Sequence, residues 1–480
     1  MTKKTNGLAL LAHKCAARTF DLSTGVVHAS MRDQIVRAQL LMRDLKENEP
    51  SCRQILIIGG GVGGISAAAM ASELNMEVVL VDSKSEPFSL QSNVTSRYVG
   101  PFMYEWPELG YNCQTYPPTL ALDHPHSATP QWTANQPISA ADFADNLKDW
   151  LAKHIFSPGK ARFYFGAKST DVATFVRDFV AYHGSASDMS ASTGPEYLLP
   201  KDCVDHNRKP AIAGGSFTPD YVVLAAGMGQ ERVALPDFKF VEGKRFWDND
   251  DLKLPETCFG NSCVFGGGDG ALQDVLRLLT THDHPLQMID QLRKKTSVAS
   301  EIDKVTPHLE SLERQSRLVT TWSGTDSFDA IDKQCQSIAT ELARLKDVHS
   351  AVQQQLRKGS GEVHHVMREQ YFGKAYLLNR FAVHLIEQCQ IVERHKGTLT
   401  YHPHRKANVT NASEEVLDGK QGYLISLDTA PTPYFFRWVA VRYGADPKDI
   451  PQSKMVKLNK STQADRTSMA AIPLPFVVPK

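Results

Sequence analysis

The sequence predicts an α/β protein with a Rossmann-like dinucleotide-binding domain, a second dinucleotide-binding-like region and a helical insertion. Three observations predict it. The apolar run ILII at residues 55–58 enters a glycine-rich turn, an alanine-rich helix and a second apolar run, EVVLVD. A similar strand-to-turn passage, SCVFGGGDGA, recurs at residues 262–271. Beyond about residue 285 helical periodicity dominates, as in IDKQCQSIATELARLKDVHSAVQQQLRK.

A chain of 480 residues exceeds what one hydrophobic core usually organises, so two or three domains are expected. Hydrophobic residues at 42% and charged residues at 22% are globular values and exclude a disordered or fibrous chain. Lys plus Arg equals Asp plus Glu, 53 each, which leaves no global field to attract nucleic acid or an anionic membrane. Neither is expected as a partner. The apolar run from Leu8 to Ala12 is too short for a signal peptide, and no stretch approaches the roughly 20 apolar residues of a membrane span. A cytoplasmic location is therefore expected. The eight cysteines form no CxxC pair, so neither a redox disulfide motif nor a zinc ribbon is visible. Cys258 and Cys263 flank or enter a buried strand, where a thiol behaves as a small apolar side chain.

Residues 30–47 place Ile35, Ala38, Leu41 and Leu45 on one face of a packing helix, within an N-terminal extension of residues 1–50. The first nucleotide domain is assigned to 51–235. Within it, residues 85–135 are too long and too rich in proline, serine and aromatics for a passive loop, and are a candidate ligand-covering segment. A helix follows at 139–153 with Ser139 as N-cap, then strand-like pieces (ARFYFGA, EYLLP) and the strong strand YVVLAAGMG. The second region is assigned to 236–284 and 393–450, the helical insertion to 285–392, and an irregular tail to 451–480. GTLTYHP, GYLISLD and FFRWVAVRYG read as strands of the second region.

Gly59, Gly61 and Gly64 form GxGxxG directly after a continuous apolar strand, as a parallel strand covered on both faces requires. The first permits a tight turn, the second lets backbone approach a pyrophosphate, and the third lets helix pack on strand. The helix start, with Gly63 in its first turn, offers backbone N–H groups and a positive dipole end. Asp82 ends the next strand, where a carboxylate accepts hydrogen bonds from ribose hydroxyls. FAD and NAD share this fingerprint. A position early in a long chain, with a second motif to follow, favours FAD.

Gly266, Gly268 and Ala271 form GxGxxA at the second strand-to-helix turn. With the small-residue turn at Gly227 between the two, the order resembles flavin-containing monooxygenases and the related amine N-hydroxylases. That resemblance rests on about sixty residues in three patches and implies FAD on Gly59, Gly61, Gly64 and Asp82. It implies NADPH or NADH on Gly266, Gly268 and Ala271. Three features depart from the pattern, one being that the motif typical of flavin-containing monooxygenases between the two glycine turns is absent. Asp269 stands where a phosphate should lie, and no strand follows the second helix promptly, so no ribose-reading acid or phosphate-reading arginine is assigned. An alternative reading makes GGGDGA a late Gly-Asp element contacting the same FAD.

No GxSxG elbow, HExxH helix or Walker loop is present, so a flavin, not a side-chain engine, would carry the reaction. Catalytic side chains are not identifiable. Arg97, Tyr98, Tyr104 and Trp106 are suited to anion pairing or stacking toward a flavin, and the alternative, the more frequent role of aromatics, is a loop packed on its own domain. The histidine pairs 282/284, 364/365 and 402/404 are expected to be solvated or locally bonded, since three or four converging ligands are needed for a metal. The basic runs 394–396 and 404–406 would suit an NADP phosphate or a charged strand edge. The expected activity is that of an FAD-dependent, NAD(P)H-using oxidoreductase or monooxygenase on a small organic molecule. An amine or amino-acid oxidase without NAD(P)H, and a non-enzymatic FAD-stabilised interaction protein, are the alternatives. The amphipathic insertion is compatible with a homo-oligomer.

Overall fold

The computed structural model describes residues 7–23, 31–100, 106–107, 136–154, 161–185, 194–199, 215–318, 326–445 and 455–456. Helix α1 (Leu8–His13) leads into β1 (Lys14–Ala16) and β2 (Thr19–Asp21), followed by α2 (Met31–Asn48), β3 (Gln54–Ile58), α3 (Val62–Glu73) and β4 (Glu77–Asp82). Next come the short pair β5 (Tyr98–Val99) and β6 (Ile138–Ser139), α4 (Ala140–His154), β7 (Ala161–Phe165) and α5 (Ser169–Ser185). The short pair β8 (Tyr197–Leu198) and β9 (Ser216–Phe217) precedes β10 (Tyr221–Leu224). Six strands form one sheet in the order β1-β2-β10-β3-β4-β7, parallel except for β1.

Strands β3 and β4 are apolar at residues 55–58 and 78–81 because helices cover both faces. Ile55, Ile57, Val78 and Leu80 pack with α2, α3 and α4, whereas Leu56, Ile58, Val79 and Val81 pack with Phe175 and Phe179 of α5. Helix α2 buries Ile35, Ala38, Leu41 and Leu45, the face its periodicity marks. The Ser139 hydroxyl accepts the Asp142 N–H at 3.0 Å and caps α4. The stretch read as an N-terminal extension supplies β1 and β2 to this sheet and packs α2 against it. Beyond the β2–β10 ladder, Leu22 N–H donates to Leu224 O at 2.8 Å.

The second sheet starts at β11 (Ser262–Phe265), which turns into α6 (Asp269–Leu279). Helices α7 (Pro285–Arg293), α8 (Thr296–Leu318), α9 (Asp326–Ala343) and α10 (Lys346–Gln355) intervene before β12 (Glu362–Val366) and α11 (Leu377–Val392). Then follow β13 (Thr400–His404), the antiparallel set β14 (Val409–Leu417), β15 (Lys420–Leu427) and β16 (Tyr434–Phe436), and finally β17 (Trp438–Val441). The parallel sheet has the order β13-β12-β11-β17. Its strands correspond one for one to β7-β4-β3-β10 of the first sheet. Each sheet thus places a glycine turn at the end of an inner strand.

Two features differ from the sequence reading. Strand β12 and helix α11 lie inside the stretch assigned to the insertion (285–392), yet β12 is an inner strand of the second sheet. Its sequence EVHHV hides the strand, because two histidines interrupt the apolar signal while both are buried, at 1% and 0% exposure. The insertion proper is α7–α10. The segment FFRWVAVRYG is also divided, between β16 of the antiparallel set and β17 of the parallel sheet. Among the described residues no helix is long and apolar enough to cross a membrane.

Candidate nucleotide-binding sites

At the first turn the three glycines have separable causes. Gly59 has φ +119°, and a Cβ there would overlap the Ala225 carbonyl. A Cβ on Gly64 would overlap the Gly59 carbonyl. Both are required by packing, whatever binds. Gly61 is different: it caps α3 with extended backbone (φ −79°, ψ −175°), and a Cβ there would meet nothing within 4 Å. Only an occupant of the space before the α3 N-terminus would exclude a side chain there. A Cβ on Gly63 would lie 3.5 Å from the Gln34 amide oxygen of α2, and Gly227, with φ +90°, turns the chain away from β10. The Asp82 carboxylate accepts the Gly60 N–H and, at 2.7 Å, the Lys84 N–H. Burial raises its pKa despite those bonds.

The second turn repeats the construction. Gly266 has φ +118° under the Arg442 carbonyl, and Ala271, fully buried, takes the place Gly64 holds in the first turn. Gly268 caps α6 with φ −94° and ψ −177°, and a Cβ there would find only Lys374 O, at 3.5 Å. The turn is supported by His365. Burial pushes His365 down to about 4, so its ring is neutral at ordinary pH. Nε2 lies 2.6 Å from Gly266 O, which can only accept, so the proton resides on Nε2. Nδ1 is then left to accept from the Tyr401 hydroxyl at 2.8 Å.

Asp269 does not confront the turn as its position suggested. Its carboxylate accepts from Tyr376 N–H at 3.1 Å, Gln273 Nε2 at 3.2 Å and Asn379 Nδ2, so it caps the N-terminus of α11. Burial pushes it up to about 6, although these donors and Arg380 oppose the shift.

A cleft of about 800 Å³ opens before this turn. Gly266 to Gly270 form its floor, and Arg368 and Lys374 stand on its wall. Met31, Tyr98 and Val99 close it from the first domain. Arg368, whose guanidinium carbon lies 5.3 Å from the Tyr443 ring centroid, follows the end of β12, where the ribose and its 2′ substituent are read in such folds. Sequence reasoning missed it because β12 itself was hidden.

Two candidate flavin contacts are engaged elsewhere. Arg97, 1% exposed, pairs with Asp274 and, at 2.7 Å, with Asp250. Arg277 joins both carboxylates, and Arg442 Nε donates to Asp274 at 2.8 Å. Burial alone would raise the Asp274 carboxyl, but Arg442, Arg97 and Arg277 hold it well below the usual range. A guanidinium this deep requires such partners, so Arg97 ties the first domain to α6. Trp106 stacks on Phe381 of α11 with ring centroids 5.3 Å apart and belongs to the second domain's core. Tyr98 lines the cleft. Tyr104, Cys113, Cys203 and the tail from 457 lie outside the described residues.

The histidines are locally bonded, but not in the exposed surroundings expected. His282 Nε2 lies 2.7 Å from Gln355 Oε1, and His284 Nδ1 accepts the Leu286 N–H at 3.1 Å. His364 Nδ1 lies 2.9 Å from His404 Nε2, and Glu362 contacts His364 and His402. Among the described residues no group of three or more His, Cys, Asp or Glu converges on a metal position. Arg405 makes a bidentate pair with Glu387 at 2.7 and 2.6 Å, which occupies it away from any phosphate.

Residues 47–105, spanning β3, α3 and β4, match the family described as alanine dehydrogenase/PNT, C-terminal domain. No curated protein matches the chain by sequence. Among solved structures it is similar to thioredoxin reductase from T. acidophilum, at 12% identity over 84% of this chain and 80% of that one, TM-score 0.35. It is similar to L-lysine 6-monooxygenase from Pseudomonas syringae at 11% over 82% and 81%, TM-score 0.32. A third is OTEMO in complex with FAD and NADP, at 10% over 82% and 71%, TM-score 0.34. Likenesses this distant assign no chemistry to the chain.

Proposed function

We propose that the chain is an FAD-dependent, NAD(P)H-using oxidoreductase, of which a monooxygenase acting on a small organic molecule is the specific form favoured. The observation that carries this reading is the paired glycine geometry. At Gly61 and Gly268 a helix start meets space without any packing demand for glycine, whereas Gly59, Gly64 and Gly266 are explained by packing alone. An anion with close backbone approach accounts for both exceptions.

In this reading Gly61, the N–H groups of α3 and Asp82 hold the FAD adenosine diphosphate. When bound, FAD supplies hydride acceptance and, once reduced, reactivity toward oxygen. Gly268 and the α6 N-terminus hold the pyrophosphate of the nicotinamide nucleotide, and Arg368 pairs with a 2′-phosphate, so NADPH is preferred to NADH. Met31, Tyr98 and Val99 close the cleft from the first domain and exclude water. The reading of GGGDGA as a second contact to the same FAD is weakened by the separate parallel sheet behind it and by Asp269, which is used on α11. An anaerobic titration of FAD-loaded protein tests the proposal. NADPH bleaches the oxidised flavin band; a flavin that neither NADPH nor NADH reduces excludes this reading and favours the oxidase.

A further inference from the structure

Helix α3 passes directly to β4, whereas α6 is separated from β12 by the four helices α7–α10. The insertion touches the cleft at Phe328 of α9, which lines it. One turn further along α9 stands Asp332, buried at 5% exposure, which pairs with Arg380 of α11 and lies 3.0 Å from His384 Nε2. Burial would raise the Asp332 carboxyl, but His384 and Arg380 hold it below the usual range. Arg380, 1% exposed, also donates to backbone: NH1 to Phe372 O and NH2 to Gly373 O, both at 2.8 Å. Those carbonyls belong to the strip that walls the cleft. In turn, Gly373 N–H donates to Gly267 O at 2.8 Å, and Asp269 N–H donates to Lys374 O at 3.1 Å.

We propose that the helical insertion is a positioning element for the nucleotide cleft, with Asp332 orienting Arg380, Arg380 fixing residues 372–374, and that strip fixing the second glycine turn. The inference rests on the reading that this turn holds a nicotinamide nucleotide. A buried guanidinium keeps NH1 and NH2 on the Phe372 and Gly373 carbonyls only while a carboxylate neutralises it, and Asp332 does so through the same NH1. Without Asp332 the charge is unpaired, Arg380 turns toward water, and the strip loses the contacts that place the Gly267 and Asp269 backbone. Misplacement of N–H donors weakens anion binding while leaving the first sheet untouched.

The test compares Asp332→Asn and Asp332→Glu with Lys295→Ala, which removes an exposed pair with Asp347 elsewhere in the insertion. FAD and NADP+ affinities are measured by titration, and backbone protection by amide hydrogen exchange. The expected result for Asp332→Asn is NADP+ binding weakened by about ten-fold, as loss of a charged hydrogen-bond partner implies. FAD affinity stays unchanged and protection falls at the Gly373 and Asp269 amides. Asp332→Glu restores part of both, and Lys295→Ala changes neither. A folded Asp332→Asn protein with wild-type NADP+ affinity and protection overturns the proposal. If wild type binds no NADP+, the nucleotide assignment falls, and the relay is still judged by protection at Gly373, which must drop in the variant. Should Asp332→Asn fail to fold, Arg380→Lys, which keeps the charge and loses the fork, is read in the same way.

Discussion

At the first turn Gly59 packs under the Ala225 carbonyl with φ +119°, and at the second Gly266 packs under the Arg442 carbonyl with φ +118°. Beyond that common backbone the surroundings diverge. Strand β4 ends in Asp82, whereas the residue in register at the end of β12 is Met367, followed by Arg368. Strand β10 is followed by Ala225, Ala226 and Gly227, whereas β17 is followed by Arg442, which is spent on Asp274, and Tyr443. The first helix leads straight to its next strand, and the second is followed by an insertion that supports the cleft. In the proposed reading the turn geometry supplies an anion cradle in both places, while the strand-end side chains decide between a carboxylate for ribose hydroxyls and a cation for phosphate.

The largest effect breaks the shared backbone. Gly64→Val should cost more than about 4 kcal/mol, because its Cβ overlaps the Gly59 carbonyl and the fused strand and helix cannot separate. Thermal unfolding without ligand should show the loss; an unchanged melting temperature would mean that helix and strand are less tightly joined than described. A smaller effect sharpens the difference between the sites. Arg368→Ala should weaken NADPH by about ten-fold and leave NADH and FAD unchanged, read by isothermal titration. Equal losses for NADPH and NADH would remove Arg368 from the 2′-phosphate position.

The smallest effect concerns Asp269, whose counterpart in the first turn is Val62. Its folded pKa of about 6 lies above the ordinary carboxylate value, so the native state holds its proton more tightly than the unfolded chain. Stability from this group is therefore full at pH below about 4 and is lost as pH rises toward 6, by on the order of 1 kcal/mol per pH unit. Asp269→Asn should flatten the melting temperature between those values. A slope identical to wild type would show that Asp269 is not the titrating group.

Much of this was legible in the sequence. The run ILIIGGGVGG, the alanine-rich helix and EVVLVD define β3, α3 and β4, since apolar continuity and glycine spacing report burial on both faces and a tight turn. The second turn was legible for the same reason, and so was α2. What stayed hidden depended on distant partners. Thr19–Asp21 is too short to read as a strand and is held by pairing with β10. EVHHV reads as polar because a histidine's burial depends on partners elsewhere, Gly266 O and Tyr401 for His365, His404 for His364. Arg97 carries the same letters whether it faces a flavin or Asp274, and only the meeting of the two domains decides. The side of α6 to which Asp269 turns was likewise unreadable until α11 was placed beside it.

The central claim is that the two turns hold two different nucleotides, and crosswise binding of Gly61→Val and Gly268→Val tests it most directly. Both positions have backbone angles open to valine and little to collide with, so both variants should fold. FAD and NADPH affinities of each are measured by fluorescence titration. The account predicts that Gly61→Val loses FAD by about 100-fold or more and that Gly268→Val retains FAD while losing NADPH to a similar degree. Retention of both ligands by both folded variants, or loss of FAD in Gly268→Val, would contradict it.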